Sequence, residues 1–491
     1  MKKNWEIVII PLALLYIFLP IIFFGFGWMK IPYAILLTVA LIYFGYSFFS
    51  HTKDNSIQLF SNNTLLYWII TALVVFAWVY FSGIGGYAYQ NDDFWVRNPI
   101  YRDLTVCKWP VIYDLAQEPE YVQSICGSGK VAFSYYFSWW LVPAFISKIC
   151  GMGDWGSKLI LFAWAYCGIM LVVYLLNRML KKCSWTVPFV LIGFGGLDAV
   201  MYSIIERRIP YMTHVEWWAE NLFQYSSNTT QLYWVFNQAI PIWVIMAVFV
   251  QRRDNRFDAA ILSCIFAYSP WAMIGAIPFI IAGSVKNKDT LKKAINISNI
   301  AIPVIMLLVF GVFYMSSNGA TGKICSIFSY VGGRYGHVAL LWMLFVFVEE
   351  GIFFLIMGKQ KSEFYWLVLV ELGIIPLIRL IDGNFVMRSS IPVLFILTTF
   401  IISFLAEKGI ESRSIRKVIL LIALCIGMWT PLNEINRSVI NTFTSENYLM
   451  EPIYSFTSID SEKEHLISTI SNQFFVYGYE DELFFKYLGR K

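Results

Sequence analysis

Charged side chains are scarce in this sequence. Only 14% of its 491 residues are Asp, Glu, Lys or Arg, whereas 58% are hydrophobic. These few charged residues cannot provide enough polar surface for a soluble globular protein of this size. We therefore predict a polytopic membrane protein. A nucleic-acid partner is not expected despite the net charge of +5, because the basic residues are dispersed in short clusters between apolar runs.

Paired cysteine motifs are also lacking. The 8 cysteines are scattered without a CxxC pair and without nearby histidines at zinc spacing, so we predict no metal site. Cys107 and Cys126 share one predicted external loop, where a disulfide is compatible with the sequence. Lys2 and Lys3 precede an apolar run that is too long for a signal-peptide core and has no small-residue cleavage site, so we expect it to stay as the first span.

Apolar runs of about 17 to 25 residues predict the spans. With the N-terminus cytoplasmic, the fold class is an all-α, polytopic membrane helical bundle of about 11 spans, a re-entrant helix pair and an external juxtamembrane helix. The expected spans are 5–27, 31–49, 65–84, 158–176, 185–205, 231–250, 295–315, 337–357, 363–381, 390–406 and 417–433.

Two apolar runs do not fit a simple crossing. Residues 259–283 lie between two basic clusters that are both expected inside, so this run must enter and leave the membrane at the same face, with its turn near Ser269 and Pro270. Residues 131–149 are expected to lie along the outer surface, because a span there would place Arg178 and its basic neighbours outside.

This topology gives a transmembrane domain at 1–433, with an external loop at 85–156. Residues 434–491 form an external tail or small cap, or a segment that packs on the helices. The N-terminus is then cytoplasmic, and the external loops and C-terminus lie on the outer side of the cell (inner or plasma) membrane.

The first external loop concentrates acids, bases and aromatic residues. Asp92 and Asp93 follow an apolar run, and Arg97 and Arg102 come within one or two helical turns. A carboxylate beside arginines at the bilayer surface suits a general base that takes a proton from a hydroxyl while cations hold a phosphate. Interfacial anchoring without catalysis is the alternative.

Later external segments repeat this mixture. Residues 206–229 contain carboxylates, amides and flat aromatic rings, which suit sugar recognition, although an amphipathic helix resting at the interface is the alternative. Near 384–388, Arg388 is well placed to hold a lipid phosphate, unless it only reaches for the membrane surface. Glu349, Glu350 and Glu371 fall inside predicted spans, where acids are costly and usually partnered or functional; they keep a transporter as an alternative.

The motifs in these segments resemble those of the GT-C superfamily of integral-membrane glycosyltransferases, in particular a bacterial branch. They are GGYAYQNDDFWVRNPIYRDL at 85–104, WPVIY at 109–113, YYFSWWLVPA at 135–144, HVEWW at 214–218, QYSSNTTQLYWVFNQAIP at 224–241 and NFVMRSSIP at 384–392. An acidic pair in the first external loop, a juxtamembrane helix and later short paired helices are features of that superfamily. The soluble C-terminal domain of some relatives is missing here.

The resemblance implies an inverting transferase that uses a polyprenyl-phosphate-linked sugar at the outer leaflet. Asp93, or alternatively Asp92, would be the general base, and Arg388 with Arg207 or Arg208 would hold the donor phosphate. The residues expected to contact sugar or acceptor are Arg97, His214, Glu216, Trp217, Gln224, Tyr225 and Asn384. No cofactor beyond the lipid-linked sugar is implied, and a divalent metal is neither required nor forbidden.

The acceptor would be a glycan, a lipid or a teichoic-acid-type polymer of the cell envelope, and membrane lipids surround the protein. A transporter or flippase for a lipid-linked saccharide is the alternative from another class. A polysaccharide polymerase or ligase is a third hypothesis, distinguished from the transferase by product length.

Overall fold

A computed structural model describes residues 5–52, 57–218, 222–252, 254–317, 325–329, 337–360, 362–379, 384–407, 411–444 and 474–490. In these residues the protein is nearly all helical, and 9 helices are long and apolar enough to cross a membrane. They are Glu6–Trp28, Ile31–Thr52, Asn62–Tyr80, Asp154–Leu180, Thr186–Glu206, Asn228–Phe249, Ile297–Met315, Val338–Met357 and Ile415–Thr444. The predicted multi-pass helical membrane protein is therefore confirmed.

The exact number of spans stays a prediction. Two of the expected spans, 363–381 and 390–406, coincide with the shorter apolar helices Tyr365–Leu377 and Ile391–Ala406. At a rise of about 1.5 Å per residue, such helices cross the hydrocarbon only where it is thin or where neighbouring residues extend them.

The helices are numbered in chain order. The first eleven are α1 (Ile9–Trp28), α2 (Ile31–Thr52), α3 (Leu65–Tyr80), α4 (Phe94–Val106), α5 (Glu120–Cys126), α6 (Leu141–Ile149), α7 (Asp154–Leu180), α8 (Thr186–Gly193), α9 (Asp198–Glu206), α10 (Asn228–Phe249) and α11 (Asp258–Ser263). The others are α12 (Pro270–Val285), α13 (Lys288–Ala294), α14 (Ile297–Met306), α15 (Val312–Met315), α16 (Val338–Val346), α17 (Ile352–Met357), α18 (Tyr365–Ile374), α19 (Asn384–Ser389), α20 (Ile391–Ala406), α21 (Glu411–Gly427) and α22 (Trp429–Thr444).

Helix α10 is the centre of the bundle. It packs against α1, α7, α20 and α22, and nearly all of its residues are buried. Its sequence is apolar on every side towards its C-terminal end, as expected of a helix surrounded by other helices. Its polar N-terminal half, which includes Asn237 and Gln238, is buried as well.

Two helices, α11 and α12, form a pair where the re-entrant pair was predicted; that they enter and leave the membrane at one face stays a prediction. The chain turns at Ser269, whose side chain caps the next helix by accepting a hydrogen bond from the Ala272 amide, and Pro270 occupies the first turn, where its missing N–H costs nothing. The far ends of the pair meet, because a Cβ added to Gly283 near the end of α12 would lie 2.6 Å from Asp258 Oδ2 at the start of α11. Both ends therefore lie on one face of the protein.

Residues 131–149 differ from the single juxtamembrane helix that we expected. The segment begins as strand β2 (Lys130–Phe133), which lies between β1 (Ile112–Asp114) and β5 (Phe475–Tyr477) in an antiparallel sheet. Only its second half is helical, as α6, and Trp139 and Trp140 are fully buried. The sequence did not distinguish the strand from a juxtamembrane helix, because aromatic side chains suit a membrane interface and a protein core equally.

The C-terminal residues complete this sheet. The helix α22 runs through the expected boundary at Glu434, and β5 returns to pair with β2. The Arg490 amide then donates to the Trp28 carbonyl at the end of α1, at 2.8 Å. The described part of the tail is thus packed on the helices, beside the first external loop. A second, two-stranded ladder joins β3 (Cys325–Ser326) to β4 (Ile378–Arg379).

The predicted inner basic clusters gather at one face, called here the basic face. Arg178 donates to the Gln251 side chain at 2.8 Å, and Arg252 forms an ion pair with Glu363. Asp254 lies 3.3 Å from His51 and 3.6 Å from Lys293. The start of α7 lies instead beside the first external loop, since Tyr87 donates to the Trp155 carbonyl. We call that opposite side the Asp93 face.

Candidate functional site

A tight glycine turn carries the chain from α3 into the candidate site. Gly83 has a φ of +82°, and a Cβ there would lie 2.5 Å from the Tyr89 carbonyl oxygen, so no other residue fits. Asn91 then donates to the Tyr233 carbonyl of α10 at 2.9 Å and accepts from the Asp93 amide at 3.1 Å. The backbone before α4 is thereby fixed against the central helix of the bundle.

Asp93 is positioned by Arg97, one turn further along α4. Arg97 Nη2 lies 2.5 Å from Asp93 Oδ2, and the Arg97 guanidinium stands 5.4 Å from the centre of the Phe236 ring of α10. The Arg97 side chain is 6% exposed and that of Asp93 is 46% exposed. Asp93 Oδ1 makes no hydrogen bond with any residue that the structure describes, so this oxygen is available to a ligand.

Asp92 has a different environment from Asp93. Its side chain is exposed, and only its carbonyl takes part in a described hydrogen bond, accepting from the Trp95 amide at 3.2 Å. Of the two candidate bases, Asp93 is therefore the one that is held in place.

Arg388 approaches the same site from α19. Its guanidinium stands 5.9 Å from the centre of the Tyr136 ring, and the rings of Tyr136 and Tyr135 are 3.7 Å apart. Burial raises the pKa of Tyr135 well above its ordinary value, while the charges of Arg388 and Arg97 both act to lower it. One tyrosine is thus within electrostatic reach of both arginines.

The re-entrant pair supports Arg388. Gly275 of α12 faces the end of α19 so closely that a Cβ there would lie 1.9 Å from the Ser389 carbonyl oxygen. Near the tip of the pair, the Trp271 ring meets the edge of Phe385 at 5.9 Å between centroids. Arg388 is therefore held by a close helix contact that begins at the turn of the pair.

The loop 206–229 is docked on α22. Asn433 accepts from the Met212 amide at 2.9 Å and donates to the Thr213 carbonyl at 2.6 Å. His214 Nδ1 lies 3.3 Å from Glu434 Oε1, and Glu434 also accepts from Arg437 at 2.6 Å. Burial acts to lower the pKa of His214, but the hydrogen bond to Glu434 and the negative charges of Glu216 and Glu434 together outweigh it, so the pKa is raised.

Three of the residues expected to contact sugar are buried instead. Glu216 is 0% exposed and accepts from the Ser227 amide at the start of α10, at 2.9 Å. Gln224 donates to Ser226, and Tyr225 donates to the Leu372 carbonyl. Their positions are those of packing residues, which corrects the expectation from the sequence: a carboxylate or amide in an aromatic segment looks the same whether it faces a ligand or the protein interior.

Glu216 is nevertheless electrostatically unusual. Burial raises its pKa to about 7, against a lowering effect of His214 and a raising effect of Asp198. Its second oxygen, Oε2, is buried and makes no hydrogen bond with a described residue.

The remaining expected site residues are exposed on the surface, except for Asn384, whose side chain is not among the described residues. Arg207 and Arg208 are exposed, and Arg208 donates to the Tyr202 hydroxyl at 3.1 Å. No described contact joins either arginine to Arg388 or Asp93. Trp217 is 54% exposed and meets the edge of the His214 ring at 4.8 Å. The backbone of Asn384 begins α19, and its side chain lies outside the described part of the chain.

Sequence reasoning missed three contributors to this region. The Tyr135–Tyr136 pair connects the two arginines, and Glu434 with Arg437 fixes His214. The tyrosine pair was visible as a doublet directly before FSWW, and the acid and base were visible at a spacing of three residues on an amphipathic helix. Neither signal indicates a partner more than 200 residues away.

Cysteine and metal chemistry receive no positive support. No disulfide joins Cys107 to Cys126, so the bond that the sequence allowed is not formed. Among the described residues, no group of three or more His, Cys, Asp or Glu side chains is arranged to hold a metal ion.

The arrangement combines a fixed carboxylate with one available oxygen, a buried guanidinium behind it, and a second guanidinium beside the Tyr135–Tyr136 pair. A carboxylate of this kind can accept a proton, and a guanidinium can stabilise an anion. No protein-family model matches this sequence, no curated protein is significantly similar to it, and no solved structure significantly matches the fold.

Proposed function

We propose that the protein is a GT-C-like membrane glycosyltransferase, which moves a sugar from a polyprenyl-phosphate donor to an acceptor hydroxyl at the Asp93 face. Three charged groups carry the proposal: Asp93 and Arg97 form an ion pair, and Arg388 stands beside the Tyr135–Tyr136 pair, where the charges of both arginines act on Tyr135. These groups come from segments almost 300 residues apart and belong to two of the motifs behind the resemblance.

In the proposed reaction, Asp93 Oδ1 accepts the proton of the acceptor hydroxyl. The hydroxyl oxygen attacks the anomeric carbon from the side opposite the phosphate, and the bond between that carbon and the phosphate oxygen breaks. The electron pair leaves with the polyprenyl phosphate, so the anomeric centre is inverted. Arg388 stabilises the growing negative charge on the phosphate. Arg97 is a positioning residue, because it orients the carboxylate through Oδ2.

The burial of Glu216, Gln224 and Tyr225 reduces the set of residues that we propose to contact the acceptor. These three residues shape the loop 206–229, while His214 and the exposed face of Trp217 remain as its candidates for acceptor contact. Arg207 and Arg208 are not needed for the donor phosphate. The acceptor remains a glycan, lipid or teichoic-acid-type polymer of the cell envelope, and a divalent metal is neither required nor excluded.

The decisive experiment uses the two adjacent aspartates as a matched pair. Purified protein in lipid nanodiscs is given a panel of polyprenyl-phosphate-linked hexoses with envelope glycans, and release of polyprenyl phosphate is measured. We expect Asp93→Asn to lower the rate by about 10²- to 10⁴-fold, the range of a general base. Asp92→Asn should retain most of the activity. Full activity in Asp93→Asn would contradict the assignment of Asp93 as the general base.

Donor binding is tested separately with polyprenyl phosphate alone, which is common to all such donors. We expect it to raise the thermal stability of the wild type, and Arg388→Gln to lose that effect. Arg208→Gln is the control, since Arg208 is an exposed arginine bonded to Tyr202. Equal losses in both variants would indicate non-specific attraction and contradict the assigned phosphate site.

Transport of a lipid-linked saccharide is the second candidate, supported by buried acids in the bundle. Glu349 is 0% exposed in a π-helical turn, Phe347–Gly351, and its carboxyl group interacts with that of Asp198, a second buried acid. It lies against the break between α8 and α9, where a Cβ on Gly196 would be 1.6 Å from Glu349 Oε2. Broken helices with buried acids occur at ion sites of transporters.

The two candidates make opposite predictions for two variants. If the protein transports, Glu349→Gln abolishes the movement of a fluorescent polyprenyl-phosphate hexose across vesicle membranes, and Asp93→Asn moves this lipid as fast as the wild type does. If it transfers sugar, Asp93→Asn is the inactive variant and the wild type moves no lipid. The product length from a polymeric acceptor separates a single-sugar transferase from a polymerase or ligase.

A further inference from the structure

A second polar cavity lies at the basic face, far from Asp93. It has a volume of about 960 Å³ and is lined by the ends of α7, α10, α12 and α20 and by residues 359, 360 and 362–364. Helix α7 has 27 residues and runs from the first external loop to this cavity, which corresponds to about 40 Å at 1.5 Å per residue. The cavity is therefore separate from the proposed transferase site.

One wall of the cavity is apolar and elongated. Ile396, Phe400 and Phe404 follow one another at a spacing of four along α20, so they form a continuous stripe on one side of the helix. Phe249 and Phe364, from neighbouring elements, also line the cavity, and the centroids of these two rings are 5.7 Å apart. A hydrocarbon chain lying along this stripe would be removed from water over about two helical turns.

The other side of the cavity is cationic. Four cations, Lys182, Arg252, Lys286 and Lys359, line it together with two carboxylates, Glu363 and Glu407. Charge of this sign beside an apolar wall is complementary to an amphiphile with an anionic head.

Two of the four cations are already engaged by carboxylates. Arg252 pairs with Glu363 and, at 3.4 Å, with Asp258, and it stands 4.8 Å from the ring centres of both Phe249 and Phe364. Lys286 lies 3.4 Å from Glu363. These contacts form the floor of the cavity.

The other two cations have no carboxylate partner among the described residues. Lys182 donates to the Ala406 carbonyl at 2.6 Å, where it also offsets the partial negative charge at the end of α20. Lys359 is exposed and forms no ion pair within the described chain. Both are therefore free to interact with an added negative charge.

We infer that this cavity binds an anionic phospholipid, with its phosphate between Lys182 and Lys359 and its acyl chain along the Ile396–Phe400–Phe404 stripe of α20. The site goes beyond the proposed transferase function and does not depend on it. Free inorganic phosphate shares the chemistry of the head but cannot use the stripe.

The charge requirement is tested by native mass spectrometry of the full-length protein in detergent, titrated with phosphatidylglycerol or phosphatidylcholine. We expect at least about tenfold tighter binding of phosphatidylglycerol, a difference of about 1.4 kcal/mol. The double variant Lys182→Gln, Lys359→Gln should lose that preference. The control is Lys288→Gln, Lys292→Gln, which removes two exposed lysines of the same face that do not line the cavity.

The chain requirement is tested by Ser403→Trp, which fills the groove from an exposed position on α20 without changing its charge. We expect this variant to bind phosphatidylglycerol at least tenfold more weakly and to melt at the wild-type temperature. The matched variant Ser403→Ala should bind normally.

Four results would overturn the inference. They are equal binding of the two lipids, an equal loss in the control double variant, unchanged binding in Ser403→Trp, and full displacement of lipid by inorganic phosphate at the same concentration. The last would identify a free-phosphate site. Melting temperatures of all variants separate loss of binding from loss of folding.

Discussion

The guanidinium of Arg97 lies 2.5 Å from the carboxylate of Asp93, and only the aspartate reaches solvent. A buried base thus holds a half-exposed acid at the mouth of the site. Because Asp93 directly precedes α4 and Arg97 lies one helical turn later, the pair forms as soon as that helix folds. The position of the pair in the protein is fixed separately, by Asn91 and by the contact with Phe236 on α10.

Replacing Arg97 tests the positioning role. Arg97→Gln removes the charged hydrogen bond and should destabilise the protein by about 1–3 kcal/mol, with the lower end favoured because Asp93 is half-exposed. The measurements are thermal unfolding in detergent and the rate of polyprenyl-phosphate release. Arg97→Lys keeps the charge and should restore part of the rate. A rate in Arg97→Gln equal to that of the wild type would contradict a positioning role.

The His214–Glu434 contact predicts a pH-dependent loop. The raised pKa of His214 means that its contribution to stability is complete below the ordinary histidine pKa of about 6.5 and is lost as pH rises through the raised value. We expect the melting temperature of the wild type to fall across that window, and the fall to shrink in His214→Gln. The same slope in both proteins would show that another group is responsible.

The burial of Glu216 predicts a second, lower window. Its pKa is raised to about 7, so the folded protein keeps a proton that the unfolded chain loses near pH 4.5. The free energy of unfolding should therefore fall as pH rises between these values. Glu216→Gln preserves an acceptor for the Ser227 amide and should flatten this part of the profile, raising stability at pH 8. A less stable Glu216→Gln protein at pH 8 would contradict the prediction.

Asn433 should control the order of the loop 206–229. Asn433→Ala removes both hydrogen bonds to the backbone of residues 212 and 213, a loss of about 1–3 kcal/mol. We expect faster proteolysis within this loop, measured by mass spectrometry of the fragments. Asn436→Ala is the matched control, since Asn436 contacts the loop only through the Met212 sulfur at 3.9 Å. Similar cleavage rates in both variants would show that Asn433 does not hold the loop.

Much of the helical framework was predictable because each helix must satisfy its own backbone hydrogen bonds in lipid. Most of the spans expected from long apolar runs therefore coincide with long apolar helices of the structure. The basic residues at 178–182, 252–256 and 286–293 indicated one shared face. The break at Ser269–Pro270 was predictable for a similar reason, since a proline and a capping serine determine it locally. The orientation of that face toward the cytoplasm remains a prediction of the positive-inside rule.

The sequence by itself determined a multi-pass helical protein, its basic clusters and an acid pair in the loop that follows α3. Only the tertiary structure decided which polar groups meet: β5 pairs with β2 across more than 340 residues, and Arg388 reaches Tyr136 from a distant helix. It also decided that Glu216 is buried while Trp217, its neighbour, is exposed. The physical reason is that span formation depends on local hydrophobicity, whereas burial and pairing depend on which distant surfaces pack together.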